Sequence, residues 1–231
     1  MGKAILDYQT GNSPEDIITE TSISGAEKLH VSYLFRSYRE MPKIEKTALS
    51  LADGHVLDVG CGAGSHSLYL RANGFDVLPI DISESAIKAC HLRNLPNARV
   101  QNVITLSGEK FDTILLLMNG TGICGRLKNL APFLRHLKSL LNQGGQILID
   151  SSDIRYMFEE DEDGGIWVPS ITEYYGELTF NLTYKGQKEK PFDWLYVDFS
   201  TLSRIAASQG LLCEKIREGE HYDYLARISV K

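Results

Sequence analysis

The run Val56-Leu57-Asp58-Val59-Gly60-Cys61-Gly62-Ala63-Gly64 carries a short apolar segment directly into three glycines. Glycine at alternate positions lets the main chain turn tightly and approach a ligand with no Cβ in the way. A helix starting just beyond offers free N–H groups to polar or anionic atoms. Asp81 stands 21 positions after Gly60, at the end of the next apolar run. A carboxylate at that point of an alternating strand–helix chain is placed to accept both hydroxyls of a ribose. The chemistry implied is nucleoside binding, against the plainer alternative of a glycine turn with no ligand. A dinucleotide fingerprint requires Gly-x-Gly-x-x-Gly, and Ser65 occupies the place of its last glycine.

Other chemistries leave little trace. Cys61, Cys90, Cys124 and Cys213 stand far apart with no Cys-x-x-Cys pair, and the six histidines show no zinc-ligand spacing. The expectation is reduced, buried cysteines and no metal. The net charge is −6, and the densest basic stretch, residues 185–190, is short and contains Glu189. A nucleic-acid partner normally meets a basic face, so that class is disfavoured. No run approaches the roughly 18 apolar residues of a membrane helix. The N-terminus lacks a signal-peptide pattern, and Leu6 stands where a myristoylation signal has Ser or Thr. A cytoplasmic protein with no membrane partner is expected.

The elements that must position the glycine loop alternate regularly. Residues 56–59 read as a strand, 65–73 as a helix stopped by Gly74, and 75–80 as a strand despite Pro79. Ser83 is a suitable N-cap for a helix over 84–93. Strands follow at 98–103 and 111–118, then a helix with Leu130, Phe133, Leu134, Leu137, Leu140 and Leu141 on one face, closed by Gly144-Gly145. Residues 146–150 form the next strand, and 200–209 a last helix. The strands 211–216 and 222–230 are joined so tightly that they must be antiparallel. The predicted fold is α/β: a doubly wound, seven-stranded, mainly parallel sheet with a C-terminal antiparallel hairpin. The 231 residues, 43% apolar, hold one such domain, residues 55–231. The surplus is a mainly helical N-terminal cap over 1–54, with Ser13-Pro14-Glu15-Asp16 as a helix start, and a β-rich aromatic insertion over 155–197 expected to form a substrate lid.

With these landmarks in order, the sequence resembles the class I S-adenosylmethionine (SAM)-dependent methyltransferases. Residues 56–64 look like their first motif, Asp81-Ile82-Ser83 like the end of their second strand, and Phe111-Asp112-Thr113-Ile114 like the start of their fourth. Gly144-Gly145-Gln146-Ile147-Leu148 looks like the entry to their fifth. The resemblance implies that SAM is the cofactor and assigns it residues. Gly60 and Gly62, with Cys61 between them, would face its methionine and ribose part through the backbone. Asp58 would help hold the methionine ammonium, or tie down its own loop. Asp81 would take the ribose hydroxyls, Ile82 would pack on the adenine face, and Asn102 and Val103 would meet the adenine edge. Met118 and Asn119 would lie beside the reacting methyl. Tyr33-Leu34-Phe35-Arg36, Met41-Pro42-Lys43-Ile44-Glu45 and Asn119-Gly120-Thr121-Gly122-Ile123-Cys124-Gly125 look like a group of bacterial methyltransferases of undefined substrate. There Arg36 would bind the methionine carboxylate, or else form an ordinary ion pair.

Methyl transfer from a sulfonium needs alignment more than a universal catalytic side chain, so no catalytic residue is assigned. The segment after Met118 shares only Asn119 with the Asp/Asn-Pro-Pro-Tyr/Phe of DNA amino-methyltransferases. Asn119 also replaces the carboxylate of metal-dependent catechol-type enzymes, although Asp150 and Asp153 could still offer oxygens. Cys124 is the best-placed thiol for an RNA-base mechanism, with only Arg126 nearby. Tyr156, Trp167, Tyr174, Tyr175, Trp194 and Tyr196 either wall an acceptor pocket or form the underside of a β-hairpin. The acidic run 159–163 reads as a solvated loop or lid, His66 as a cap or packing residue, and His221 and Tyr222 as exposed turn residues. The reading is a methyltransferase acting on a small-molecule acceptor. The alternatives are a non-catalytic SAM-binding or sensing module and a methyltransferase acting on protein or RNA.

Overall fold

The computed structural model describes residues 1–158 and 174–230. In chain order the elements are α1 (Gly2–Thr10), β1 (Ile17–Thr21), β2 (Glu27–Leu29), α2 (Lys43–Leu51), β3 (His55–Val59), α3 (Ser65–Ala72), β4 (Asp76–Asp81) and α4 (Glu84–Leu92). They continue with β5 (Arg99–Val100), β6 (Phe111–Leu116), α5 (Leu130–Ser139), β7 (Leu141–Ser152), β8 (Glu177–Tyr184), β9 (Gln187–Lys188), β10 (Phe192–Leu195), α6 (Phe199–Ser208), β11 (Leu211–Glu218) and β12 (Asp223–Val230). Seven strands form the central sheet in the order β11-β12-β7-β6-β3-β4-β5. The pairs from β7 to β5 are parallel, and β12 is antiparallel to both β7 and β11.

Strand side chains alternate between two cores, as the pleat requires. Leu57, Ile114, Leu116, Ile147 and Ile149 face Leu134, Leu137 and Leu202 of α5 and α6. Val56, Leu115 and Leu148 face Ile44, Leu49 and Leu70 of α2 and α3. Burial on both faces explains why these strands read as unbroken apolar runs. Pro79 is accommodated by the same alternation. The Ile80 carbonyl faces β3, so Pro79 faces the other side, where β5 pairs only from Ile80 onward. The missing N–H therefore breaks no ladder bond.

Three stretches differ from the sequence reading. The first 54 residues hold two helices as expected, but also β1 and β2. No helix starts at Ser13; Asp16 instead accepts from Val31 N (3.2 Å) and pairs with His30 (2.7 Å). The β-branched run that follows finds a partner in β8, with Ile18 opposite Thr183. The strand expected over 98–103 is only two residues long, because the Asn102 side chain accepts from Ile104 N (3.0 Å) and caps a 3-10 turn. Gly144-Gly145 does not close α5, which ends at Ser139. It lies inside β7, where Gly144 takes φ +79° and the register with β6 shifts.

The second sheet has the order β10-β8-β1-β2, with β9 on β8, so the insertion and the N-terminal segment build it together. It is fastened at two places. Asp7 accepts from Lys3 (2.8 Å), Asn12 (3.1 Å), Tyr184 (3.1 Å) and Lys185 (3.0 Å), and these donors hold its carboxyl well below the usual range against burial. Ile5 of the same helix packs with Ala63, Ala86 and Ala89 of the core. At the other edge Arg126 grips Asp193 with two nitrogens (2.8 and 2.7 Å) and reaches Glu177 (3.2 Å).

The Trp194 ring lies flat against Gly122, where an added Cβ would overlap it. Gly122→Ala should therefore lower unfolding stability by about 1–3 kcal/mol. In a Trp194→Ala background the same change should cost less than about 0.5 kcal/mol. Equal costs in the two backgrounds, measured by urea denaturation, would mean that the ring does not rest there.

Candidate active site

The sheet order reverses between β3 and β6, and the crevice beyond the carboxyl ends of these strands is where an open α/β sheet binds ligands. The β3–α3 loop forms one wall. Gly60 N and Cys61 N both donate to Ile80 O (2.9 and 3.0 Å), and Gly62 N donates to Asp81 Oδ2 (3.0 Å). Gly60 and Gly62 have φ +70° and +53°. A Cβ on either would find its nearest neighbour at 3.7 or 3.9 Å, so conformation rather than crowding requires glycine, and the loop keeps a clear face toward a ligand.

Asp81 also accepts from Ser83 N (2.8 Å), which fixes the carboxylate at the mouth of the crevice. Burial raises its carboxyl above the ordinary value, against the pull of the Ser83 and Gly62 amides. Asp58 lies deeper. It accepts from Ser67 Oγ and ties the loop to α3, and burial raises its carboxyl too. Cys61 turns its thiol under the loop, 3.9 Å from Cys90, whose own thiol donates to Gly62 O (3.3 Å). Ile82 is 75% exposed at the rim, whereas Val103 is buried in the core. The Asn102 side chain is engaged by its own turn.

The opposite wall follows β6. Met118 and Asn119 are both left-handed (φ +67° and +61°), a conformation that costs a non-glycine residue about 1 kcal/mol or more. Asp150 holds them there, accepting from Met118 N (3.1 Å) and Gly120 N (3.0 Å). Burial pushes its carboxyl up to about 7, with the Glu45 charge adding and the amides opposing. From the sequence alone Asp150 reads only as an oxygen donor for a metal. Its signal was an acidic residue ending an apolar strand. Asn119 is spent on the turn itself: its Nδ2 donates to Leu195 O (3.2 Å) and its Oδ1 accepts from Ser151 (2.9 Å), joining the turn to the second sheet.

Arg36 is only 6% exposed. One nitrogen pairs with Glu45, another donates to Tyr33 O (2.7 Å), and the Tyr33 ring lies 4.1 Å from the guanidinium. His66 Nε2 takes the other Glu45 oxygen (2.8 Å). Burial would raise the Glu45 carboxyl, but His66 and Arg36 overcome it and hold it below the usual range. Among the described residues Arg36 Nε is a buried donor without a hydrogen-bond partner.

Several other candidates are engaged within the fold or lie at the surface. Cys124 is buried and its thiol pushed far up, which removes the thiolate an RNA-base mechanism would need. Tyr174 and Tyr175 donate to Asp198 and Asp153 (2.7 Å each). Tyr156 and Tyr222 stack at 4.7 Å near the surface, and His221 is exposed. Trp167 and the acidic run 159–163 lie outside the described residues. Among the described residues no three His, Cys, Asp or Glu side chains converge as metal ligands, and no helix is long and apolar enough to cross a membrane.

Comparison with known proteins agrees with this geometry. A family model described as a methyltransferase domain matches residues 31–184. The crystal structure of a SAM-dependent methyltransferase from Bacteroides fragilis in complex with S-adenosylhomocysteine superposes with a TM-score of 0.91. It is 46% identical, over 99% of this chain and 93% of that one. A ubiquinone biosynthesis O-methyltransferase from Xanthomonas euvesicatoria is 31% identical over 113 residues, 46% of each chain. A tRNA U34 carboxymethyltransferase from Actinobacillus succinogenes is 27% identical over 133 residues, 53% of this chain and 40% of that one. The chain thus spans about half the length or less of these two relatives. From the seven-stranded order, the glycine loop and these matches together, the chain belongs to the methyltransferase domain family and is a SAM-dependent methyltransferase of the class I, Rossmann-like type.

Proposed function

We propose that this methyltransferase acts on a small-molecule acceptor held between the end of β6 and the second sheet. The observation that carries the reading is the clamp between them. Trp194 rests on Gly122, Asn119 and Thr121 bind Leu195 O, and Arg126 binds Asp193 and Glu177. A crevice bordered in this way beside Met118 and Asn119 supports a small acceptor over a large partner. The carboxylates Asp150, Asp153 and Asp223 near that end of β7 also oppose a polyphosphate chain.

Bound SAM supplies a methyl group already activated on a sulfonium, so the protein has to align the acceptor and exclude water. Asp81 would receive the ribose hydroxyls, Ile82 would cover the adenine, and Asn102 and Val103 would meet its edge. The Gly60–Gly62 backbone would carry the methionine portion. Asp58, through the loop it ties down, would favour the ammonium, and Arg36 the carboxylate. Met118 and Asn119 would border the methyl.

Incubation with methyl-labelled SAM and a cell extract, followed by separation into metabolite, RNA and protein fractions, tests the acceptor class. Label is expected among the metabolites, and label confined to RNA or protein would overturn the small-molecule assignment.

A further inference from the structure

Among the described residues no strand ladder joins the two sheets; residues 195–197 join them instead. Leu195 and Val197 are buried in the main core, while Tyr196 N between them donates to Gly176 O of the insertion (2.8 Å). On the core side Leu195 O accepts from Asn119 Nδ2 (3.2 Å) and Thr121 Oγ1 (3.0 Å). Val197 N donates to Ser151 Oγ (3.0 Å), and Val197 O accepts from Tyr224 OH (2.7 Å). Polar groups in a dry seam fix its geometry when each of them finds a partner.

Thr121 and Ser151 are the junction of this seam. Both are buried, their hydroxyl oxygens lie 2.6 Å apart, and Asn119 Oδ1 is within reach of both (3.3 and 2.9 Å). Ser151 stands next to Asp150 on β7, and the two neighbours treat the Met118–Gly120 turn differently. Asp150 binds the turn's amides and holds its left-handed backbone, whereas Ser151 and Thr121 tie the Asn119 side chain to the seam. Only an oxygen fits where the Thr121 hydroxyl sits. A carbon atom keeps about 3.3 Å or more from an oxygen, and this position has oxygens at 2.6 and 3.0 Å. A methyl group there would drive the turn and the seam apart by roughly 0.3–0.7 Å, the shortfall of those two contacts.

We infer that Thr121 and Ser151 are positioning residues for methyl transfer. Neither is among the residues assigned to the cofactor. They act through Asn119, holding the Met118–Asn119 turn at a fixed distance from the wall formed by Leu195 and the second sheet. The inference rests on the reading that the acceptor lies between that turn and that sheet, and it names what sets the width of the gap. In-line displacement makes the width matter, because misplacing a reactant by about 1 Å costs on the order of 100-fold in rate. The cofactor's contacts with the glycine loop and Asp81 belong to the other wall of the crevice, so cofactor affinity is independent of the seam.

Thr121→Val and Thr121→Ser separate positioning from packing. Valine keeps the shape and loses the hydroxyl; serine keeps the hydroxyl and loses the methyl. The first readout is total label passing from methyl-labelled SAM into an unfractionated cell extract, measured up to saturating SAM and extract so that turnover is read apart from half-saturation. Thr121→Val should lower the saturated rate about tenfold or more and leave half-saturation by SAM within about twofold. Thr121→Ser should retain most of the wild-type rate. Ser151→Ala, which also deprives Val197 N of its acceptor, should behave as the valine variant does and serves if that variant does not fold. The second readout, hydrogen exchange with S-adenosylhomocysteine bound, needs no acceptor. Amides of residues 119–122 and 195–197 should exchange about tenfold faster in Thr121→Val than in wild type or Thr121→Ser. Serine as damaging as valine would reduce Thr121 to packing and overturn the inference. An unchanged saturated rate in Thr121→Val would overturn it too, and exchange then tells which premise failed. Loosened amides with intact transfer put the acceptor elsewhere, whereas unaltered amides mean that the hydroxyls do not hold the seam.

Discussion

Asp81→Ala should weaken S-adenosylhomocysteine binding by about two to four orders of magnitude and abolish the rise in melting temperature that the ligand gives the wild type. Two of the carboxylate's acceptor positions are taken by Gly62 N and Ser83 N, which leaves lone pairs on both oxygens toward the crevice. Each hydrogen bond from a ribose hydroxyl to this charged group is worth roughly 1.5–3 kcal/mol, so losing the pair removes about 3–6 kcal/mol. The substitution also deprives two loop amides of their acceptor, at a cost of about 1–3 kcal/mol to the fold. Asp81→Asn separates the effects, because it keeps the shape and one good acceptor and should fall between wild type and alanine. Burial holds this carboxyl above its usual value, so affinity should begin to decline on acidification earlier than for an exposed aspartate. Calorimetric titration reads all three proteins, and unchanged affinity in Asp81→Ala would remove Asp81 from the cofactor site.

What the sequence made legible was local. Apolar runs buried on both faces, a glycine stop at Gly74 and the Ser83 cap mark their elements without reference to anything distant, and the central sheet follows from them. The second sheet was not legible in this way. β1 is a strand because β8, about 160 positions later, pairs with it, with Ile18 opposite Thr183. Ser13-Pro14-Glu15-Asp16 has the composition of a helix start, and only the position of Val31 N decides that Asp16 binds elsewhere. Removing residues 155–197 would therefore strip β1 of its partner as well, so that segment is not a separable lid. The candidate site divides along the same line. The glycine loop and Asp81 come from one strand–helix–strand unit and carry a motif. Asp150 acts on amides 30 to 32 residues away, and Arg36, Glu45 and His66 meet only once α2 and α3 have packed.

The largest effect on the fold itself should come from Asp150, and through pH. Its carboxyl titrates near 7 in the native protein against 3.8 as an ordinary side chain. Between those values the folded state holds a proton that the unfolded chain has released. Unfolding free energy therefore falls as pH rises from about 4 to about 7, by up to roughly 4 kcal/mol at 1.36 kcal/mol per unit. Asp7 and Glu45 are shifted the opposite way and lose their contribution as the medium becomes acid, but both are present in wild type and variant and cancel in the comparison. Asp150→Asn cannot ionise. Whatever fixed penalty its amide brings against Met118 N and Gly120 N, its stability relative to wild type should improve by about 2–4 kcal/mol between pH 4.5 and pH 8. Urea denaturation across that range reads the difference directly, and parallel profiles would show that the carboxyl is not raised by burial.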